Sequence, residues 1–364
     1  MLKAHEYLAE IEIYKPGKTK IEGEGAQKIV KLSSNENALK SSKKALAAYK
    51  NHSSEIFRYA DGSCNLLREA LAKKYEVDIE KLVCGAGSDE ILALLTSAFA
   101  GLDDEIIYSA HGFLMYPISA KRVGAKAVAV AEKNLKADVD AILAAITPKT
   151  KMIFIANPNN PTGSYLNSGE IAKLINGAPK SVLIVLDHAY DEFAQGVKDY
   201  PNAIKLVNEN KNVVMTRTFS KVYGLASLRI GFSYSSQEIA DALNKVRGPF
   251  NVGGPAQAAA VAALEDESFF KKSLRHNKKW LSKFFKQAKK FNKIKAHPSI
   301  ANFILFDFGS EENCVKANSV FIKNGFILRE MKAYNLSNCL RMTIGTSQEN
   351  EKALAILQEI DGNL

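Results

Sequence analysis

Between about residues 60 and 235 the chain alternates short apolar, β-type runs with amphipathic stretches of helical spacing. The runs lie at 81–84, 105–109, 126–130, 151–156, 181–187, 212–216 and 228–234, and they predict strands. Ser88-Asp89-Glu90 and Asp138 offer helix starts between them, while Gly101, Gly124 and Gly177 offer ends. Strands alternating with helices predict an α/β fold around a mostly parallel sheet. After Pro249 the pattern changes to a long helical stretch over about 255–291. Strands near 302–307, 326–329 and 340–344 follow, with a last helix from Ser347. The expected organisation is a large α/β domain over 31–248, with 1–30 and 249–364 forming a smaller α+β domain.

Composition narrows the class. With 364 residues, 46% of them hydrophobic and 24% charged, the chain can bury a core large enough to divide in two. The longest strongly apolar stretch, 91–102, contains Thr96 and Ser97 and is well short of the roughly 20 residues of a membrane span. The polar start of the chain predicts a cytoplasmic location. Cys64, Cys84, Cys314 and Cys339 are far apart, with no C-x-x-C and no His at metal spacing, so reduced thiols and no metal site are expected. The net charge of +10 is local: 271–295 carries 11 Lys or Arg and no Asp or Glu. The same stretch holds Phe270, Leu274, Leu281, Phe284, Ala288 and Phe291 at steps of three, four and seven, the spacing of one buried helical stripe. Its lysines therefore read as a solvated face. No nucleic-acid-reading motif accompanies them, and no nucleic-acid partner is expected.

In an open α/β sheet, ligands gather beyond the carboxyl ends of the strands. After 81–84 comes Gly85-Ala86-Gly87-Ser88, a glycine turn that can aim backbone N–H groups at a phosphate. After 151–156 come two Asn-Pro turns within Asn157-Pro158-Asn159-Asn160-Pro161-Thr162-Gly163. The strand 181–187 ends in Asp187-His188-Ala189-Tyr190, a carboxylate behind six mostly apolar residues, and a buried Asp needs a cationic partner. After 212–216 comes Arg217-Thr218-Phe219-Ser220-Lys221, with Arg229 eight residues beyond the lysine. Any one of these segments alone is more readily structural. Their order on successive strand ends is what carries the chemistry.

Pyridoxal 5′-phosphate needs such a set: a lysine for covalent attachment, an acid at its ring nitrogen, donors to its ring oxygen and a phosphate cup. Here the chain resembles the fold-type-I aminotransferases. Tyr14-Lys15-Pro16-Gly17, Ser33-Ser34-Asn35-Glu36-Asn37, Arg58-Tyr59, Asp61-Gly62, Asn157 to Gly163, Arg217 to Lys221 and Leu340-Arg341 resemble their histidinol-phosphate aminotransferase branch. The resemblance implies the pyridoxal-phosphate-dependent transferase fold of type I. It makes Lys221 the attachment lysine and the base at the substrate Cα, and Asp187 the partner of the ring nitrogen. Asn160 and Tyr190 would face the phenolic oxygen, and Phe113 would stack on the ring. Ala86, Gly87, Ser88, Thr218, Ser220 and Arg229 would take the phosphate. Tyr59 would reach the phosphate of a neighbouring subunit, implying a homodimer with shared sites.

The implied reaction is transamination of L-histidinol phosphate with 2-oxoglutarate, giving imidazole acetol phosphate and L-glutamate. One site must then hold a donor phosphate and an acceptor carboxylate. The resemblance gives this task to Arg341, assisted by Arg329, Tyr14 and Asn37. The sequence departs from the branch at His188, Ala60, Ala86 and Ala110-His111-Gly112. His188 directly follows Asp187 on a strand, so its side chain points to the opposite face and a structural role is expected. An aromatic aminotransferase or a phosphoamino-acid decarboxylase of the same fold, and a pyridoxal-phosphate-binding regulator, are the competing readings.

Overall fold

The structure is a computed structural model that describes residues 3–13 and 29–364. Seven strands form one sheet in the order Leu82–Gly85, Gly231–Tyr234, Val213–Thr218, Leu183–Asp187, Thr150–Ala156, Glu105–Ser109, Lys126–Val130. Gly231–Tyr234 runs antiparallel to both neighbours and every other pairing is parallel. The alternation of side chains along each strand splits the core into two layers. Ile153, Ile155, Ile184, Leu186, Val213 and Met215 pack into one layer, and Met152, Phe154, Val185 and Val214 into the other. Helices cover both faces, which is why Leu183–Asp187 and Val213–Thr218 are buried throughout their length.

The expected strands are all present, with shifted ends. The strand expected at 212–216 continues to Thr218 because Arg217 and Thr218 pair with Phe232 and Gly231. The strand expected from 228 starts only at Gly231, since Arg229 takes a left-handed conformation with φ 49°.

The helical stretch expected over 255–291 is two helices, Gly254–Glu265 and Glu267–Ala288. The break is at Asp266, whose side chain accepts from the Phe269 N–H and caps the second helix, while Ser42 donates to its other oxygen at 2.5 Å. Glu267–Ala288 buries Phe270, Ser273, Asn277, Trp280, Leu281 and Phe284 and turns its lysines outward, Lys283 pairing with Glu351 at 2.6 Å. Among the described residues no helix is long and apolar enough to cross a membrane.

A second, four-stranded antiparallel sheet has the order Lys295–Ala296, Phe303–Asp307, Cys339–Thr343, Arg329–Glu330. One face packs Ile304, Phe306, Leu340 and Met342 against Trp280, Phe284, Phe321 and Leu357. The other face carries Arg341 and Thr343 on Cys339–Thr343 and looks toward the first sheet, where Arg341 reaches Asn160.

The run expected at 326–329 divides. Phe326–Ile327 pairs with Val30–Lys31, and Arg329–Glu330 pairs with Cys339–Thr343. The described part of 1–30 is also divided: Glu6–Glu10 packs on the helix Met115–Lys121 beside the first sheet. Gly254–Glu265 packs on the helices Lys43–His52 and Asn65–Tyr75, so Ala256, Ala259, Ala260 and Ala263 join the core of the seven-stranded sheet. Four alanines in two turns let helix backbones approach closely, and a hydrophobicity pattern alone does not say which core receives them.

Candidate active site

At the carboxyl ends of the parallel strands, Ser88, Phe113, Asn160, Asp187, Tyr190, Thr218, Ser220, Lys221 and Arg229 line one cavity together with Asp89, Ala156, Pro158 and Ala189. Nine residues expected at the site thus converge from six separate segments. A larger cavity of about 1040 Å³ lies beyond the Gly163 turn and is lined by none of them.

Strand register explains the convergence. Gly231 sits beside both Gly85 and Thr218, so the antiparallel strand brings Arg229 and the glycine turn to the same end of the sheet. A Cβ on Gly231 would lie 2.4 Å from the Ser88 nitrogen, and one on Gly87 would lie 2.5 Å from Nη2 of Arg229. Gly87 also has φ +89°, a region that favours glycine. Arg229 donates to Ser220 Oγ at 3.3 Å and to Asp89 at 3.1 Å, and Thr218 donates to Ser220 Oγ at 3.0 Å. The Ala86 N–H is spent on Glu90 and the Gly87 N–H on the Gly85 carbonyl. An anion here meets the side chains of Thr218, Ser220 and Arg229 and the amino end of the helix Ser88–Phe99, rather than the amides of Ala86 and Gly87.

Asp187 ends its strand with 4% exposure. Tyr116 donates to Oδ2 at 2.8 Å and Thr216 to Oδ1 at 3.1 Å. Both donors are neutral, and burial pushes the carboxyl above its ordinary pKa. A buried carboxylate open to a cavity and held only by neutral donors suits a cationic ring N–H. The expected cofactor therefore fits at this position.

Lys221 lies over the Tyr190 ring at 5.6 Å. Burial and then the Arg341 charge push its amine down to about 8. Tyr190 is buried, pushed up to about 12 by burial, and its hydroxyl accepts from Asn35 Nδ2 at 2.8 Å, leaving its own proton to donate. Arg341 donates to Asn160 Oδ1 and to the Ser33 carbonyl at 2.8 Å. With Oδ1 engaged, the Asn160 amide offers its N–H groups. Lys221, Arg229 and Arg341 give the site a positive field suited to a phosphorylated ligand.

Other expected site residues fall elsewhere. Asn37 donates to the Val222 carbonyl at 2.6 Å and to Ser273 Oγ at 3.1 Å, and accepts from the Leu39 N–H, so its side chain ties the loop to the residue after Lys221. Tyr59 is 85% exposed, stacked on Phe250 away from this cavity. Tyr14 lies outside the described residues. Arg329 sits directly opposite Arg341 in the register of the second sheet.

His188 turns away from the cavity, as expected, and its Nδ1 bonds Asp191 at 2.7 Å. Arg217 bonds the other Asp191 oxygen, lies 3.6 Å from Glu192 and stacks 4.8 Å over Tyr75. These charges fasten the base of the site to the first sheet. Tyr116, Thr216 and Asn35 were not assigned from the sequence. Tyr116 is 71 positions from Asp187, and Asn35 is 155 positions from Tyr190.

The family Aminotransferase class I and II matches residues 27–357. A histidinol-phosphate aminotransferase of Paramagnetospirillum magneticum is 45% identical over 357 residues, covering 98% of this chain and 97% of that protein. One from Rhodopseudomonas palustris is 43% identical over 354 residues, covering 97% and 96%. Among solved structures, histidinol-phosphate aminotransferase from Sinorhizobium meliloti in complex with pyridoxal-5′-phosphate aligns with TM-score 0.86 and 26% identity, covering 93% of this chain and 92% of that one. A chain matched along almost its whole length, with a lysine, a buried aspartate and an anion cup at one sheet end, belongs to the class I and II aminotransferases.

Proposed function

We propose that this chain is a cytoplasmic, homodimeric, pyridoxal-phosphate-dependent enzyme that transfers the amino group of L-histidinol phosphate to 2-oxoglutarate, giving imidazole acetol phosphate and L-glutamate. The observation that carries the substrate reading is the register of the second sheet, in which Arg329 and Arg341 face each other across adjacent strands. Direct partners in a sheet project from the same face, so both guanidinium groups can approach one ligand. Guanidinium groups accept phosphate and carboxylate alike, which is what a donor phosphate and an acceptor carboxylate require of one site.

Bound here, pyridoxal phosphate supplies a sink for the electron pair left when the substrate Cα loses its proton. Asp187 would keep a proton on the ring nitrogen, with Tyr116 and Thr216 fixing the carboxylate's direction. Thr218, Ser220 and Arg229 would bind the phosphate, Arg229 exchanging Asp89 for it. Tyr190 and Asn160 would donate to the phenolic oxygen, and Phe113 would cover one ring face. Lys221 Nζ would attach the group and then take the Cα proton. An amine near 8 is partly neutral at physiological pH and so able to do this, whereas an ordinary lysine is nearly all charged.

Support for the dimer comes from Tyr59, Phe57, Ile56 and Leu66, which are exposed apolar or aromatic side chains between 72 and 85% accessible. Such a strip marks an interaction surface. A second copy docked on it would bury the strip and could receive Tyr59 into its phosphate cup.

Parallel half-reactions with L-histidinol phosphate and L-phenylalanine, followed by cofactor absorbance, test the substrate. L-Histidinol phosphate should be favoured in kcat/KM by about 100-fold or more. Arg341→Gln should lower that constant by about 100-fold, some 3 kcal/mol of charge-assisted bonding. A preference for phenylalanine, or release of carbon dioxide, would contradict the reading.

Reconstitution of the apoprotein with pyridoxal phosphate should accelerate as pH rises through about 8 and level off above, because the amine must be neutral to attack. Borohydride trapping should put the label on Lys221. A rate still climbing toward the ordinary lysine range, or label on another lysine, would count against it.

Heterodimers of Tyr59→Phe and Lys221→Ala subunits test supply across the interface. One doubly impaired site and one unimpaired site are expected. Activity confined to the Tyr59→Phe level, or an active monomer, would exclude shared sites.

A further inference from the structure

Outside the site described above, the second sheet brings three potential ligands of different chemistry together. Asp307 and Cys339 are direct partners in the register of neighbouring antiparallel strands, so their side chains share a face. His297 follows Lys295–Ala296, and its N–H bonds the Leu305 carbonyl, setting it diagonal to Asp307 on that face. One ligand atom from each of His297, Asp307 and Cys339 lies within 4.8 Å of the other two.

The hydrogen bonding leaves these atoms without better use. Asp307 Oδ1 accepts from the Gly309 N–H at 2.8 Å and from Asn338 at 2.6 Å, which orients the carboxylate and leaves Oδ2 toward His297. Nε2 of His297 is 3.8 Å from Oδ2, too long for a hydrogen bond, and is buried with no hydrogen-bond partner. Bonds of about 2.0–2.2 Å to N and O and about 2.3 Å to S separate the ligand atoms of a tetrahedral zinc ion by about 3.3–3.8 Å. Closing on an ion therefore asks only a small contraction.

We propose that His297, Asp307 and Cys339 form a binding site for a zinc ion, a role that goes beyond the aminotransferase reading and does not depend on it. The His-Asp-Cys donor set favours zinc over magnesium or calcium. His297 also lines the cavity of about 1040 Å³, which brings solvent close to the group. As the metal–sulfur bond forms, the Cys339 thiol gives its proton to solvent, with no change of oxidation state. The spacing of 297, 307 and 339 hid this group from the sequence, because strand pairing rather than a short motif assembles it.

The protonation states give the site a signature. Burial, then Asp307 and Cys314, push the Cys339 thiol up to about 12. Burial and Lys295 lower the His297 pKa, against the opposing pull of Asp307. Tyr334 is the remaining titratable neighbour in the apolar cluster around Cys339. Below the thiol's pKa each zinc bound expels one proton, so the apparent affinity should rise about tenfold per pH unit.

The test is calorimetric titration of chelator-dialysed holoenzyme with Zn²⁺ between pH 6.5 and 8, repeated with Co²⁺ for the visible spectrum of a tetrahedral thiolate complex. One zinc per chain is expected, tightening about tenfold per pH unit. His297→Gln and Asp307→Asn should each weaken it by about tenfold or more, and Cys339→Ser should abolish the thiolate–cobalt absorption. His297→Gln alters a partly exposed side chain, so it keeps the test intact if the buried Cys339→Ser variant fails to fold. No stoichiometric zinc, binding unchanged in His297→Gln, or affinity independent of pH would each overturn the proposal.

Discussion

The arrangement of the site depends on one buried carboxylate. Asp187 is brought to the end of a fully buried strand, and among the described residues its carboxylate receives hydrogen bonds from Tyr116 and Thr216 alone. Removing a charge from water costs several kcal/mol, and charge-assisted hydrogen bonds return about 1.5–3 kcal/mol each. The remainder is what a cation can supply, and it can reach Asp187 from the cavity. A ring nitrogen at this position would satisfy the carboxylate and would have its own pKa raised by the same contact. Lys221 and Arg229 line the same cavity, with Arg341 behind Asn160, and complement a phosphate in the same way.

Two glycines make this geometry accessible to the backbone. Gly231 lets the antiparallel strand approach the start of the helix Ser88–Phe99, and Gly87 leaves room for the Arg229 guanidinium. Behind the cavity the Arg217, Asp191 and His188 cluster balances its charges internally. Burial pushes Glu192 in that cluster up to about 7, against the pull of Arg217. Function and stability thus use opposite electrostatics on two sides of one strand end. The cluster beneath pairs Arg217 with Asp191 and Glu192, and the cavity above is left open to a ligand of opposite charge.

Much of this was legible in the sequence because strand ends announce themselves. Apolar runs leading into the Asn-Pro turns, into Asp187 and toward Ser220-Lys221 mark ends that a sheet gathers at one edge, and the resemblance to the aminotransferases singled out the nine expected residues that line the cavity. Contacts that depend on register or on helix rotation were not legible. Tyr116 reaches Asp187 across 71 positions, and Asn35 reaches Tyr190 across 155. The helix Gly254–Glu265 joined the first core because packing of small residues, not hydrophobic pattern, decides which neighbour an alanine face meets. Asp266 ended that helix by capping the next, a choice that its place inside an otherwise continuous helical pattern concealed.

On this reading Asp187 keeps the cofactor's ring nitrogen protonated. The direct measurement is the nitrogen chemical shift of ¹⁵N-labelled pyridoxal phosphate bound to the protein, in the parent and in Asp187→Asn. The account predicts a protonated nitrogen at neutral pH in the parent, an unprotonated one in Asp187→Asn, and a fall in turnover of several orders of magnitude, at about 1.4 kcal/mol per tenfold. An unprotonated nitrogen in the parent, or an unchanged shift with near-normal turnover in Asp187→Asn, would contradict it.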